Sequence, residues 1–404
     1  MAGFRISSLM PFLFLVAFAT ILFVLYPEWQ KLLDFEPKPK ADSAAETSSQ
    51  RHGADAVRPA PTRGKPLDEV WSFEPNHKWR YRDPILKKNV DQVGGPICSD
   101  IAVLGSSIYF GSEGGFLYCL SSDGKLAWSF ETLGALTGSP LLTQDRLYCG
   151  SEDNYIYSLD PTTGKQIYRM NAESGVLCTP LLLEDRLIFT ARMGRVYALE
   201  PEFGKLLWTY QHDHLINSSP ESDGHSVFVG LDSGELLSLS LTSGKLEWAF
   251  NAHGAIRSKP IVYGDAVIFA TWDGRVLSVS KSTQGLNFGI SIAGFIKSSP
   301  AILDDRIIVT TLDGFVYSIY AADGRVAWSR KCGETIEASP LVSPEKDRIY
   351  VGTWQGLLLV LNAASGEIIS QRDIGSMIQT RCAILSDDKL LVGTKSGKVL
   401  CLWR

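Results

Sequence analysis

Residues 215–250 read LINSSPESDGHSVFVGLDSGELLSLSLTSGKLEWAF. Four short runs within them alternate apolar and polar side chains with a period of two, the mark of half-buried β-strands. Asp223-Gly224, Ser233-Gly234 and Ser243-Gly244 separate the runs, and glycine at such places supplies the backbone conformation that tight turns need. The stretch therefore reads as a four-stranded antiparallel meander ending in an aromatic, Trp248. One small sheet of this kind has two faces to cover and gains little stability alone.

Repetition supplies the neighbours. Prolines recur at 140, 180, 220, 260, 300 and 340, each after a small or polar residue: Ser139, Thr179, Ser219, Lys259, Ser299 and Ser339. Gly114, Gly194, Gly234, Gly274 and Gly314 keep the same 40-residue step, with Asn154 at the one place where glycine is missing. Asparagine is the side chain that best tolerates a positive φ. A third column is aromatic: Trp128, Tyr168, Trp208, Trp248, Phe288 and Trp328. Four-stranded units of about 40 residues are propeller blades, which bury their faces against one another around a channel.

Units begin near residues 97, 135, 175, 215, 255, 295, 335 and 377, which predicts an all-β, eight-bladed β-propeller of four-stranded antiparallel blades. The last unit ends after three strands, so an outer strand has to come from the start of the chain. Two segments qualify: Lys78-Trp79-Arg80-Tyr81, which resembles Trp208-Thr209-Tyr210, and Val70-Trp71-Ser72-Phe73, which resembles Trp128-Ser129-Phe130. Spacing to the first blade favours the Trp79 segment, which puts the propeller at 76–404.

The repeated pattern, as in GSEDNYIYSLDPTTGKQIY (150–168) and TTLDGFVYSIYAADGRVAW (310–328), resembles that of the pyrroloquinoline-quinone-like (PQQ-like) repeat propellers. The resemblance spans roughly residues 76–404 and is also similar to the BamB-type propeller of outer-membrane protein assembly. It implies the fold directly. Function has to be argued from the residues that depart from the repeat.

Enzyme chemistry finds little support in those residues. Relatives that are quinoprotein dehydrogenases imply an adjacent cysteine pair, a calcium ion and a carboxylate base. The seven cysteines stand apart, at 98, 119, 149, 178, 332, 382 and 401. Cys119 shares a repeat position with Cys401, and Cys98 with Cys178, so each reads as filler of a small apolar slot. Asp145-Arg146, Asp185-Arg186, Asp305-Arg306 and Asp347-Arg348 recur with the period and mark hairpin turns. No G-x-S-x-G elbow occurs, and His212, His214 and His253 read as solvated loop residues rather than metal ligands. No catalytic residue, cofactor or metal is expected. With a net charge of −5, the chain carries no basic field for nucleic acid.

Strand order puts the inter-blade loops and the turns between second and third strands on one face. Three residues before proline, the loops carry Thr137, Leu177, Asn217, Arg257, Lys297, Glu337 and, by alignment, Gln379. Lys259 replaces the usual Ser or Thr before proline, and Arg381 precedes Cys382, which stands for proline. The second turns carry Arg192, Trp272 and Trp354 on the same face. Exposed aromatics beside charges are typical of interface anchors. Arg192, Asn217, Arg257, Lys259, Trp272, Lys297, Glu337, Trp354, Gln379 and Arg381 are therefore expected to ring the channel mouth and dock a partner.

Residues 6–26, ISSLMPFLFLVAFATILFVLY, carry no charge and are long enough to cross a bilayer. Leu25, Tyr26 and Pro27 offer no small-x-small cleavage site, so residues 1–30 are expected to be an uncleaved transmembrane signal anchor. Residues 31–75, rich in Pro, Ala and Ser, read as a flexible linker. The leading expectation is a membrane-anchored, non-catalytic scaffold for an envelope protein partner, with the propeller on the extracytoplasmic side. Two other classes stand beside it: a quinone-binding oxidoreductase, and a sensor that takes a small anion through Arg257, Lys259 and Lys297.

Overall fold

The structure is a computed structural model that describes residues 66–82, 89–93, 95–386 and 388–404. The expected membrane span at 6–26 and most of the expected linker lie outside the described residues. Among the described residues no helix is long and apolar enough to cross a membrane.

Eight four-stranded antiparallel sheets account for nearly all of the described residues. Three strands come first: β1 (Glu69–Phe73), β2 (Lys78–Arg82) and β3 (Asn89–Val93). Blade 1 then consists of β4 (Ala102–Leu104), β5 (Ser107–Gly111), β6 (Phe116–Ser121) and β7 (Leu126–Glu131), joined in chain order. Blades 2 to 7 repeat this order, and inner strands of adjacent blades touch around the channel, including those of blade 8 and blade 1. The middle two strands of each blade are almost wholly buried, which is why they are the most apolar, while outer strands alternate exposed and half-buried residues.

Blade 8 has three strands from the end of the chain, Ala383–Ser386, Lys389–Gly393 and Val399–Trp403, and its fourth is β1. Trp71 pairs with Cys401 and Phe73 with Val399. This corrects the choice of the Trp79 segment, which instead forms β2 and pairs with β3 as a separate hairpin, Lys78 opposite Val93. It also places the start of the propeller inside the stretch read as linker. The reason is packing. Val70, Trp71 and Phe73 are at most 3% exposed and join a core made from blades 8 and 1 together.

Trp71 occupies the outer-strand aromatic column and lies against Gly124, in the turn before the last strand of blade 1. A Cβ on Gly124 would come within 2.6 Å of the indole, and this glycine has φ +82° besides. Trp128 lies likewise on Gly164, Trp208 on Gly244 and Trp328 on Gly366. The indole N–H groups of Trp71, Trp128, Trp208 and Trp328 donate to carbonyls of the next blade, at Ser122, Pro161, Leu241 and Ala363. The aromatic column is thus the seam between blades, as its recurrence suggested.

The first repeat runs one residue short of the 40-residue step, as Cys98 aligns with Thr137. The positive φ of its second turn falls at Gly115 (81°) rather than Gly114, matching Asn154 (77°). The same slip undoes the equivalence of Cys98 and Cys178. Cys178 bonds the backbone of Thr190, as Ser99 bonds that of Gly111, whereas Cys98 reaches Leu136 O. Cys119 and Cys401 do share a position, and all seven thiols are free.

Candidate functional site

Each inter-blade loop alternates like a strand, and that alternation builds the channel. In the loop before blade 5, Ile256 is fully buried, Arg257 faces the channel, Ser258 is buried, and Lys259 faces the channel one level deeper. Ile256 presses on Gly230, and Ser258 Oγ exchanges hydrogen bonds with the backbone of Ala270, so two anchors hold the residue between them. Ile97, Leu136, Val176, Ile216, Ile296, Ile336 and Ile378, all buried to within 2%, play the part of Ile256 in the other blades. The second turn of each blade is pinned to the same loops by backbone bonds, such as Trp272 N to Ala255 O and Trp354 N to Thr335 O.

Two levels result. A cavity of about 690 Å³ at the mouth is lined by Arg192, Asn217, Arg257, Lys297, Glu337 and Gln379 among others. A second, of about 680 Å³, is lined by Lys259 and Arg381. Expecting all of them in one mouth ring is therefore incorrect for Lys259 and Arg381. They sit two residues further along the loop and so face the channel at the deeper level. The anion-binding trio of Arg257, Lys259 and Lys297 is likewise not assembled.

At the mouth, two carboxylates organise the rest. Asp232 accepts from Arg257 Nε and Nη2 at 3.1 and 3.0 Å and from Asn217 Nδ2 at 3.0 Å. Held in that fork, the guanidinium lies 4.8 Å from the Trp272 ring centroid, and Trp272 tilts against Phe295 at 5.8 Å. Glu337 accepts from Trp354 Nε1 at 3.0 Å and Gln379 Nε2 at 3.1 Å, and pairs with Lys297. Lys395 pairs with Glu113 across the join of blades 8 and 1. Trp272 and Trp354 are half-buried. Arg192 is exposed and its guanidinium has no partner among the described residues.

Exposed apolar side chains flank this charged ring: Leu133 at 92%, Met193 at 63% and Phe295 at 51%. Asp232, Glu113, Lys395 and Phe295 were missed by sequence reading. Writing out the whole second-turn column, instead of its basic and aromatic members alone, would have found the first three.

The deeper level is a hydrogen-bonded belt. Ser139 N donates to Thr179 Oγ1 at 3.1 Å, Thr179 N to Ser219 Oγ at 3.0 Å, Lys259 N to Ser299 Oγ at 3.1 Å and Ser299 N to Ser339 Oγ at 2.9 Å. Arg381 N donates to Asp100 Oδ1 at 2.9 Å and so ties the last blade to the first. Lys259 Nζ reaches Glu221 at 2.9 Å. Away from the channel, His212 lies 3.6 Å from Glu235 with the His214 ring tilted against it at 5.4 Å, and among the described residues no group of side chains is arranged to hold a metal.

The family model described as outer membrane protein assembly factor BamB matches residues 66–190, 122–249, 192–286 and 252–402. The overlaps follow from the repeat. No curated protein matches the chain. Among solved structures, BamB from Moraxella catarrhalis superposes with a TM-score of 0.68 at 18% identity, covering 84% of this chain and 100% of that one. The computationally designed Ika8 protein superposes at 0.69 and 16% identity, over 77% of this chain and 97% of its own. Quinohemoprotein alcohol dehydrogenase from Comamonas testosteroni superposes at 0.66 and 12% identity, over 84% and 76%. At such identities the superpositions establish the propeller alone, which enzymes and non-enzymes share. The matched family model covers most of the chain, and with it the chain belongs to the family of the outer membrane protein assembly factor BamB, as a non-catalytic, protein-binding propeller.

Proposed function

We propose that this propeller is a membrane-anchored scaffold of the cell envelope, on the periplasmic side, which docks a protein partner of outer-membrane assembly on its mouth face. The observation that carries the reading is the Arg257 assembly. A guanidinium fixed by Asp232 and stacked on Trp272 has already lost most of its freedom, so a partner that covers it loses little further entropy. Arginine and tryptophan in such a setting are the residue types that dominate binding energy. Exposed Met193 and Phe295 supply apolar area around it, and unpaired Arg192 supplies a charge for an acidic group.

Chain direction supports the same arrangement. Glu69 pairs with Leu402 and Phe73 with Val399, so β1 enters at the face opposite the mouth and runs toward it. A tether that precedes β1 joins the propeller on the far face and leaves the mouth open. The anchor at 6–26 and the spacer after it are part of this proposal.

The test replaces Arg257, Lys297 and Trp272 together by alanine and compares cross-linked partners in intact membranes. Capture of the native chain's envelope partner falls at least about tenfold, while melting stays cooperative. Unchanged capture sinks the reading.

A further inference from the structure

Among the described residues, the belt inside the channel is open at three of its joints: Asp100 N does not bond Ser139, and two further gaps follow Ser219 and Ser339. Lysine and arginine have no acceptor, so where Lys259 and Arg381 stand for serine, the preceding N–H groups of Ser219 and Ser339 have no partner among the described residues. The two joints differ in what the basic side chain does. Lys259 is answered by Glu221 at 2.9 Å. Arg381 is answered more loosely, by an ion pair in which its Nε lies 3.6 Å from Asp100 Oδ2, beyond hydrogen-bond reach, with the side chain 48% exposed.

Between blades 7 and 8, then, an N–H lacks an acceptor and a guanidinium is held only by a long ion pair, beside a cavity of about 680 Å³. That volume is within the range of roughly 300–1,000 Å³ usual for small-molecule sites. At the next joint Asp100 has one oxygen engaged by Arg381 N, and the other makes no hydrogen bond and only the long ion pair with Arg381. The adjoining wall is apolar: Leu341 and Pro340 from blade 7, and Ile302, 43% exposed, from blade 6. Charges around the cavity balance, Lys259 and Arg381 against Glu221 and Asp100, so a dianion would meet two carboxylates while a molecule of zero net charge would not.

We propose that this channel cavity binds a free α-amino acid with an apolar side chain. The ligand parts the long Arg381–Asp100 pair and takes both halves: the α-carboxylate takes the Ser339 N–H and the Arg381 guanidinium, the α-ammonium takes Asp100 Oδ2, and the side chain lies on Leu341 and Ile302. The site is separate from the mouth and does not depend on partner docking there.

Calorimetric titration of the full-length protein with L-leucine tests this, with leucinamide, 4-methylpentanoate and glycine as comparators that lack the carboxylate, the ammonium and the side chain. L-leucine binds, and each comparator binds at least about tenfold more weakly. Arg381→Ser returns an acceptor to the Ser339 N–H and so keeps the fold, yet weakens leucine binding by a similar factor. Asp100→Asn keeps the oxygen that accepts from Arg381 N and removes only the charge, with the same loss. Arg257→Ala, at the mouth, leaves leucine binding unchanged. The proposal is overturned if the native chain gives no heat with L-leucine, if Arg381→Ser binds it as well as native, or if 4-methylpentanoate binds equally, which would make the cavity a plain anion site.

Discussion

Trp71 shows how much one side chain contributes to closing the ring. It is 2% exposed, sits on Gly124 and donates to Ser122 O, all across a junction between chain ends. Trp71→Ala leaves a cavity at that junction and is expected to cost about 3–5 kcal/mol, read from urea unfolding. The cysteines give a second residue-scale prediction. Burial pushes the thiols of Cys119 and Cys332 up to about 11 and those of Cys149, Cys382 and Cys401 to about 12. An unfolded thiol ionises near ~8.5, so above that pH the unfolded chain holds fewer protons than the folded one. Stability therefore falls as pH rises from ~8.5 toward ~11 and is insensitive to these groups below. The urea midpoint at rising pH checks the sign, and a flat profile that matches variants with Cys149 and Cys401 replaced by alanine would contradict it. At this scale the sequence was informative for columns that fold the blade, since Trp, Gly and Ser recur there. It was poor for Asp232 and Glu337, whose roles depend on which turn meets which loop.

At the scale of elements, the channel-facing loop is the unit that combines folding with function. Its buried positions, Ile256 and Ser258, are fixed by packing and a backbone latch, and the two between and beyond are free to vary. Lys259→Ser and Arg381→Ser each return an acceptor to an open joint and are expected to stabilise the propeller by about 0.5–1.5 kcal/mol, seen as raised urea midpoints. A loss of stability in both would show that the belt is not a stabilising element. The closing strand shows where sequence reasoning met its limit. Spacing pointed to Trp79, while the side-chain pattern Trp71-Ser72-Phe73 already matched Trp128-Ser129-Phe130. The pattern governs, because a strand in that place has to present its aromatic to the neighbouring turn glycine, and a connecting hairpin can absorb any spacing. The linker boundary erred for the same reason, since composition averaged over a polar stretch hid a five-residue strand with three buried apolar side chains at its end.

For the whole molecule, closure by β1 makes the two ends of the described chain one blade. Burying Leu67, Val70, Trp71 and Phe73 contributes roughly 6–12 kcal/mol at about 1.5–3 kcal/mol each, an upper estimate that rivals the net stability of many domains. A chain that begins at residue 66 is expected to melt as the full-length protein does. One that begins at residue 76 loses the cooperative transition. Closure also fixes polarity, with the chain entering on one face and the charged, aromatic mouth on the other, and the docking proposal rests on that polarity. It is tested most directly by placing a photo-activated cross-linking residue, in living cells, at Arg192, Met193 or Phe295 on the mouth, and at Lys165, Lys205 or Lys245 on the opposite face. The account predicts adducts to one envelope protein from the mouth positions and none from the opposite set; adducts from the opposite face, with none from the mouth, would contradict it.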